Sequence, residues 1–348
     1  MLYIGRGEIS IMTGNNRIIL RTIIIFFAAV MLFTFIFRLF GNSKYKKESA
    51  DFFAMDTYMT VTVYDKNADA VIEEAKKLAY YYESIFSVNI DTSDISKLNN
   101  SSGSSVKVSP KTYELIEKSI EYSKESEGLF DITIYPVVKE WGFTTGEHKI
   151  PSDKRKKELL NRTGYQKIHL MQDYTVMLEE GCEIDLGGIA KGFLSQEMIE
   201  LFKEKNVTAA IVALGGNVQT YGIKPDKKDY SIGITDPFLK ENIIGTISVK
   251  EKAVVTSGGY QRYFEKDGKT YHHIMDIRTG APAESDIASV TVIADDGTYA
   301  DAMATALYVM GEKEAKEYQK SHPEIDIVLI NTSGEIWTSK GVISDDLS

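Results

Sequence analysis

Sixteen consecutive residues without a charge, residues 22–37 (TIIIFFAAVMLFTFIF), divide this 348-residue chain into two unequal parts. A helix needs about 20 apolar residues to span a bilayer. Residues 18–40 reach that length if Arg21 and Arg38 extend their charged heads to the two interfaces. We therefore expect an uncleaved single membrane anchor. A cleaved signal peptide fits less well, because Leu39-Phe40-Gly41-Asn42-Ser43 is a poor small-x-small cleavage site. A buried core helix also fits less well, since the run is apolar on all sides. No cysteine follows the run closely enough for lipid attachment; the only cysteine is Cys182. Arg6, Arg17 and Arg21 precede the run, and Arg38, Lys44, Lys46 and Lys47 follow it. The positive-inside rule therefore leaves the orientation open.

The charge is divided in the same way. Residues 1–50 hold seven Lys/Arg against Glu8 and Glu48, a net +5 inside a chain of net −10, so the remainder carries −15. We expect residues 1–50 to be the anchor and its linker, and residues 51–348 to be the working domain. An acidic body argues against nucleic-acid binding, which needs a basic face. A lone cysteine excludes an internal disulfide and a thiolate zinc site. With 43% hydrophobic residues the chain as a whole is not a disordered one.

Along the body, residues 42–49 read as a polar linker. Residues 57–64 alternate and are β-branched, which predicts a strand. Residues 68–86 carry Val71, Ala75, Leu78, Ala79 and Tyr82 at helical spacing. A second helix is predicted from Ser109-Pro110 to about Glu127, stopped by Gly128. Residues 183–186 read as a short strand before Gly187-Gly188, and residues 189–206 as a helix. Residues 209–214 read as a buried strand ending in Gly215-Gly216. Residues 230–293 are mostly strands, residues 298–310 a helix closed by Gly311, and residues 325–330 with 335–338 a closing hairpin. Strand runs separated by helix pairs predict an α+β fold rather than a doubly wound sheet.

Four segments carry residues suited to chemistry. In Asp185-Leu186-Gly187-Gly188-Ile189-Ala190-Lys191-Gly192, a glycine pair opens a helix. Free N–H groups at a helix start attract anions, and Lys191 supplies a point charge nearby. This is not a P-loop, because Phe193 follows Gly192. In the alanine-rich helix after Tyr299, Asp301 and Thr305 stand at i and i+4 on one face, as hard oxygen ligands suited to Mg²⁺. Taken alone, this segment is better explained as an alanine-rich core helix with Asp301 at its N-terminal end, favoured by the helix dipole. Residues 271–276 read as a strand in which His272 and His273 point to opposite faces, one toward a site. Residues 128–143 place aromatic side chains near Asp131, as a flat ring system would require or as any core would.

These segments, in this order, resemble the ApbE family of FAD:protein FMN transferases. The likeness runs over residues 55–311 through MDTYMTVTVY, SDISKLN, GLFDITIYPVVKEWGF, IDLGGIAKGF, VALGGNV, AVVTSGGYQRYF, HHIMDIRTG and YADAMATAL. Each is weak alone; eight in sequence are specific. The resemblance implies an α+β domain related to T-folds, with largely antiparallel sheets, flanking helices and FAD in a cleft. It implies transfer of FMN from FAD to a Thr or Ser hydroxyl of an acceptor protein, with Mg²⁺ required and AMP released. Met55, Leu129, Phe130, Asp131, Asp185, Lys191 and Met275 fall where the family contacts FAD. Asp301 and Thr305 fall at its metal position, joined by the backbone carbonyl of Gly188. His273 falls at a histidine that is catalytic or contacts phosphate. Asn89 stands near a position where some members stack an aromatic on FAD, and Asp276-Ile277 replaces an Asp-Pro turn.

The resemblance also implies an exported acceptor and a catalytic domain outside the cytoplasmic membrane. Lys191 or His273 would steady developing charge, and the base that assists the hydroxyl is His273 or a carboxylate. The alternatives are an FAD pyrophosphatase using water on the same site, a membrane-tethered FAD-binding protein without turnover, and a structural ectodomain.

Overall fold

The computed structural model describes residues 45–347 of the chain. The apolar run of residues 22–37 lies outside them. Among the described residues no helix is long and apolar enough to cross a membrane. A compact unit begins at Lys47, inside the stretch expected to be a linker. Residues from Lys47 onward pair with the next strand, so part of that polar stretch is an edge strand.

The main sheet has eight antiparallel strands that lie side by side in chain order. They are β1 (Lys47–Ala54), β2 (Thr57–Tyr64), β3 (Ala209–Leu214), β4 (Asn217–Gly222), β5 (Ala253–Gly258), β6 (Ile287–Ala294), β7 (Asp326–Asn331) and β8 (Ile336–Thr338). Five longer helices sit in the connections: α1 (Ala68–Phe86), α2 (Pro110–Glu125), α3 (Ala190–Glu204), α4 (Gly297–Met310) and α5 (Glu312–Ser321). This is the expected α+β arrangement.

Strand periodicity explains the two-sided core. Alternate residues of a strand face opposite sides of a sheet. On β5, Ala253 and Val255 pack with the helices while Val254 faces the other way. On β7, Ile327 and Leu329 take the helix side, and Val328 and Ile330 the other. That second face is covered by a three-stranded sheet of Tyr230–Thr235, Ile243–Val249 and Ser344–Asp345.

Register places the functional loops at one end of the sheet. The β1–β2 turn is Met55-Asp56, and the β3–β4 turn is Gly215-Gly216 beside it, since Met59 pairs with Leu214. β5 ends at the same edge with Gly258, because Val255 pairs with Asn217. Gly215 has φ +58°, and a Cβ there would lie 2.1 Å from the Thr57 hydroxyl, so this turn can press against the hairpin only as glycine.

Two sequence expectations change. Residues 183–186 are extended but join no sheet. Both backbone groups of Ile184 are taken by the side-chain amide of Asn99: the Ile184 N–H donates to Oδ1 at 2.8 Å, and Nδ2 donates to the carbonyl at 2.9 Å. The strand expected over residues 271–276 breaks after His272. Lys269–His272 pairs with Tyr263–Lys266, while Met275–Asp276 pairs with Ala281–Pro282. His273 sits at the bend between these two ribbons.

Helices α3 and α4 approach most closely at Gly192. A Cβ there would lie 2.2 Å from the Gly297 carbonyl oxygen and 2.6 Å from the Asp301 Cβ. Gly192→Ala is expected to destabilise the protein by about 1–3 kcal/mol, as overpacking does. Urea denaturation of the purified variant measures this; an unchanged midpoint would contradict the close packing.

Candidate active site

The N-terminus of α3 is capped from outside. Its N-cap residue, Ile189, offers no side-chain oxygen. The Gly192 N–H instead donates to Asp301 Oδ2 at 2.8 Å, across the contact with α4. A first-turn N–H is one of the donors a helix leaves unpaired, and a carboxylate there is favoured by the helix dipole. Asp301 is 4% exposed, so this bond also satisfies a buried acceptor. α4 is started in turn by Asp296, whose carboxylate accepts from the Thr298 and Tyr299 N–H groups.

This cap changes what the neighbouring atoms are free to do. Among the described residues no backbone N–H donates to the Gly188 carbonyl, the usual partner of the Gly192 N–H in a continued helix. The Thr305 hydroxyl makes no hydrogen bond within the described residues, and a Cβ at Gly188 would lie 3.9 Å from it. The same position faces Phe130, whose ring edge is 3.5 Å away. Gly188, Asp301 and Thr305, far apart in sequence, are therefore gathered by the α3–α4 contact. A carboxylate, a hydroxyl and a carbonyl are hard oxygen donors of the kind Mg²⁺ accepts when phosphate and water complete its shell. No group of three or more His, Cys, Asp and Glu side chains among the described residues could hold a metal alone. The donor set thus fits a metal that shares its shell with a substrate.

Asp185 and Lys191 bracket the glycine pair. Asp185 Oδ1 accepts the Gly187 N–H at 3.0 Å, and Lys191 Nζ donates to the Gly187 carbonyl at 3.2 Å. Burial raises the Asp185 pKa; the Gly187 N–H and the charges of Lys191 and Arg262 work against that rise.

His273 is fixed by one acceptor. Its backbone N–H donates to the Arg262 carbonyl at 3.1 Å, and its Nδ1 lies 3.1 Å from the same oxygen. A carbonyl only accepts, so Nδ1 carries the ring proton and Nε2 presents a lone pair. Burial, reinforced by the charge of Arg262, lowers its pKa to about 4, leaving the ring neutral at pH 7. His272 faces the second layer, with Nε2 3.1 Å from the Ala283 carbonyl and 3.4 Å from the Tyr308 hydroxyl on α4.

The remaining predicted residues divide by role. Met55 and Asp56 both have positive φ, 51° and 58°, without a glycine between them. Such turns normally use Asn-Gly. Glu83 of α1 accepts the Met55 N–H at 2.8 Å and holds the turn. Asp131 spends its carboxylate inside the protein: Oδ1 accepts from the Thr133 N–H and hydroxyl, and Oδ2 from the Tyr165 N–H. Its neighbour Leu129 packs partly buried between two core clusters. Met275 is buried with Val137, Trp141, Phe143 and Leu159 behind the histidine bend. Asp276 closes its turn without proline, gripping the Arg278 guanidinium and accepting the Arg278 N–H. Asn89 is exposed.

Glu83 has no reading from sequence, while Phe143 and Arg262 fall inside segments suited to chemistry, residues 128–143 and 256–263, without a role of their own. Arg262 had a usable signal, as the only cation between Lys252 and Lys266. Glu83 and Phe143 act through a carboxylate–amide bond and a backbone carbonyl, which leave no local pattern. A cavity of about 320 Å³ lies elsewhere, lined by residues including Lys139, Glu140, Arg155 and Glu183. Its charges pair internally, Arg155 with Glu140 and Lys139 with Glu183.

The helix start at the glycine pair, the oxygen atoms of Gly188, Asp301 and Thr305, and the neutral His273 are of the kinds a phosphate-bearing ligand calls for. The sequence profile of the ApbE family matches residues 55–329, and the chain belongs to this family. It is 32% identical over 324 residues to the FAD:protein FMN transferase of Treponema pallidum, covering 87% of this chain and 90% of that protein. It is 32% identical to one from Klebsiella pneumoniae, covering 77% and 84%. The fold matches the crystal structure of the ApbE protein of Thermotoga maritima with a TM-score of 0.80 at 32% identity, over 85% of this chain and 97% of that one. The Pseudomonas stutzeri flavinyl transferase ApbE, in its apo form, gives 0.76 at 25% identity, over 85% and 95%. These relatives are enzymes, and the architecture is theirs.

The histidine geometry sets a titration. Unfolded His273 protonates near the ordinary value of 6.5, folded His273 only near 4. Between those values unfolding takes up a proton, so this group's contribution to stability is lost as pH falls from about 6.5 toward 4. NMR titration of the substrate-free protein is expected to give His273 a pKa near 4 with the proton on Nδ1. A value near 6.5 would contradict the burial.

Proposed function

We propose that the protein is an FAD:protein FMN transferase that moves FMN from FAD to a Thr or Ser hydroxyl of an exported acceptor protein and releases AMP. The observation that carries this reading is the diverted Gly192 N–H: by capping α3 with Asp301 it leaves the Gly188 carbonyl and Thr305 hydroxyl open beside a buried carboxylate. Asp301, Thr305 and the Gly188 carbonyl would hold Mg²⁺, which when bound supplies Lewis-acid polarisation of the pyrophosphate. The Gly188 N–H, which has no acceptor among the described residues, and the Lys191 ammonium receive phosphate oxygens. His273 Nε2 takes the proton of the acceptor hydroxyl. That oxygen forms a bond to the FMN-side phosphorus, the bond from that phosphorus to the bridging oxygen breaks, and AMP leaves with that oxygen. The proton on His273 then passes to AMP or solvent.

A body of net −15 handles a dianionic pyrophosphate only if placed cations and backbone dipoles are aimed at it. Exposure of Gly187 and Gly188 gives water access to the same place, which favours a second reading, hydrolysis of FAD to FMN and AMP. The experiment incubates the protein with FAD, Mg²⁺ and candidate exported acceptors and weighs the acceptors by mass spectrometry. A covalent FMN adduct is expected; free FMN and AMP alone would mean hydrolysis. Asp301→Ala is expected to lower transfer by at least about a hundredfold. Undiminished transfer would refute the metal assignment.

We further propose that residues 18–40 anchor the enzyme to the cell membrane as a single span, with the catalytic domain on the extracytoplasmic side. The apolar run and its flanking arginines support this reading. A reporter active only after export, fused to the C-terminus, is expected to be active. Signal from the cytoplasmic side alone would refute the orientation.

A further inference from the structure

Arg262 enters the reading above only through its backbone carbonyl, and its side chain is unassigned. It stands at the start of the β5–β6 connection, eleven residues before His273 in sequence and hydrogen-bonded to it through the backbone. Its Nη2 donates to the Phe143 carbonyl at 3.1 Å. That bond uses one of the five N–H donors of a guanidinium. No carboxylate among the described residues forms an ion pair with it, and the residue is exposed. Of the four described arginines, Arg155 and Arg278 pair with carboxylates, and Arg162 and Arg262 do not. Arg262 is instead tied at one corner to a neutral carbonyl, which fixes the plane of its fork without spending its charge.

Its surroundings say what the charge is for. Arg262 and Lys191 come from different elements, yet both charges act on Asp185 and on His273. Geometry agrees: Lys191 Nζ donates to the Gly187 carbonyl of the glycine turn, and the Arg262 carbonyl accepts from both the backbone N–H and Nδ1 of His273. The amide of the neighbouring Gln261 turns back to the Thr256 carbonyl at 3.1 Å, so it is not a partner of the guanidinium.

We propose that Arg262 is a substrate-binding residue that grips the FAD pyrophosphate with the open edge of its guanidinium, sharing the phosphate charge with Lys191. This rests on the transferase reading and adds a discriminating element to it. A planar fork matches two phosphate oxygens at once, which an ammonium does not. The Phe143 carbonyl pre-orients the fork, so little side-chain entropy is lost on binding.

The test separates charge from tethering. Lysine and glutamine at this position each retain an N–H donor for the Phe143 carbonyl, but only lysine retains the charge. FAD binding by the full-length protein in Mg²⁺ buffer is followed by quenching of flavin fluorescence, with melting midpoints of the substrate-free variants alongside. Arg262→Gln and Arg262→Ala are expected to weaken FAD binding at least about tenfold. Arg262→Lys is expected to recover at least about threefold over glutamine, with unchanged midpoints for Lys and Gln. Binding by the wild type should also fall more steeply with salt than binding by Arg262→Gln. Glutamine that binds FAD as well as wild type, or lysine and glutamine that are equally weak, would overturn the proposal. A wild-type protein that does not bind FAD overturns the transferase reading itself, before any variant is compared.

Discussion

The hydrogen bond from the Gly192 N–H to the Asp301 carboxylate is the contact on which the site depends. Asp301 is buried, and an unpaired buried carboxylate costs several kcal/mol. The α3 terminus needs a cap and its own N-cap residue gives none. One bond meets both needs, and a hydrogen bond to a charged group contributes about 1.5–3 kcal/mol. It forms only because position 192 has no Cβ. The open Gly188 carbonyl and the nearby Thr305 hydroxyl follow from it, so structural and chemical requirements coincide in a single pair of atoms.

The sheet supplies the frame. With strands in chain order, every second connection returns to the same edge, and that edge gathers Met55-Asp56, Gly215-Gly216 and the β5–β6 connection. The helices cover one face and the three-stranded sheet the other, so the groove residues stand on elements fixed from both sides. Asp131, Asp276 and Glu83 spend their carboxylates on holding loops. Their role is to keep the groove's walls still while Lys191 and His273 remain open to a ligand.

Much of this was legible in the sequence, and the limits have physical causes. Periodicity located α1 and β3 to their observed ends, because their burial is one-sided or complete and local pattern records burial. The α+β class followed from element order. Asp301 and Thr305 were visible as an i, i+4 pair, but what brings Gly188 to them is a close helix approach that only the three-dimensional packing shows. The segment before Gly187 looked like a strand because charged and apolar residues alternate in it, yet a side-chain amide from Asn99 replaces a neighbouring strand. The histidine segment also looked continuous. The bend at His273 arises from two bonds to one distant carbonyl, and strand propensity does not encode that.

The chain-order sheet also bears on how the enzyme comes into being. β2 and β3 are neighbours, yet residues 65–208 must be threaded out and returned between them. Closing a loop of that length has an entropic cost before any pairing compensates it. The β1–β2 hairpin is local in sequence, whereas the β2–β3 pairing needs α1, α2 and α3 to be made first. Asp301 is supplied later still, after β6. A nascent chain thus presents Gly188 and Gly192 more than a hundred residues before the carboxylate that caps α3 is made.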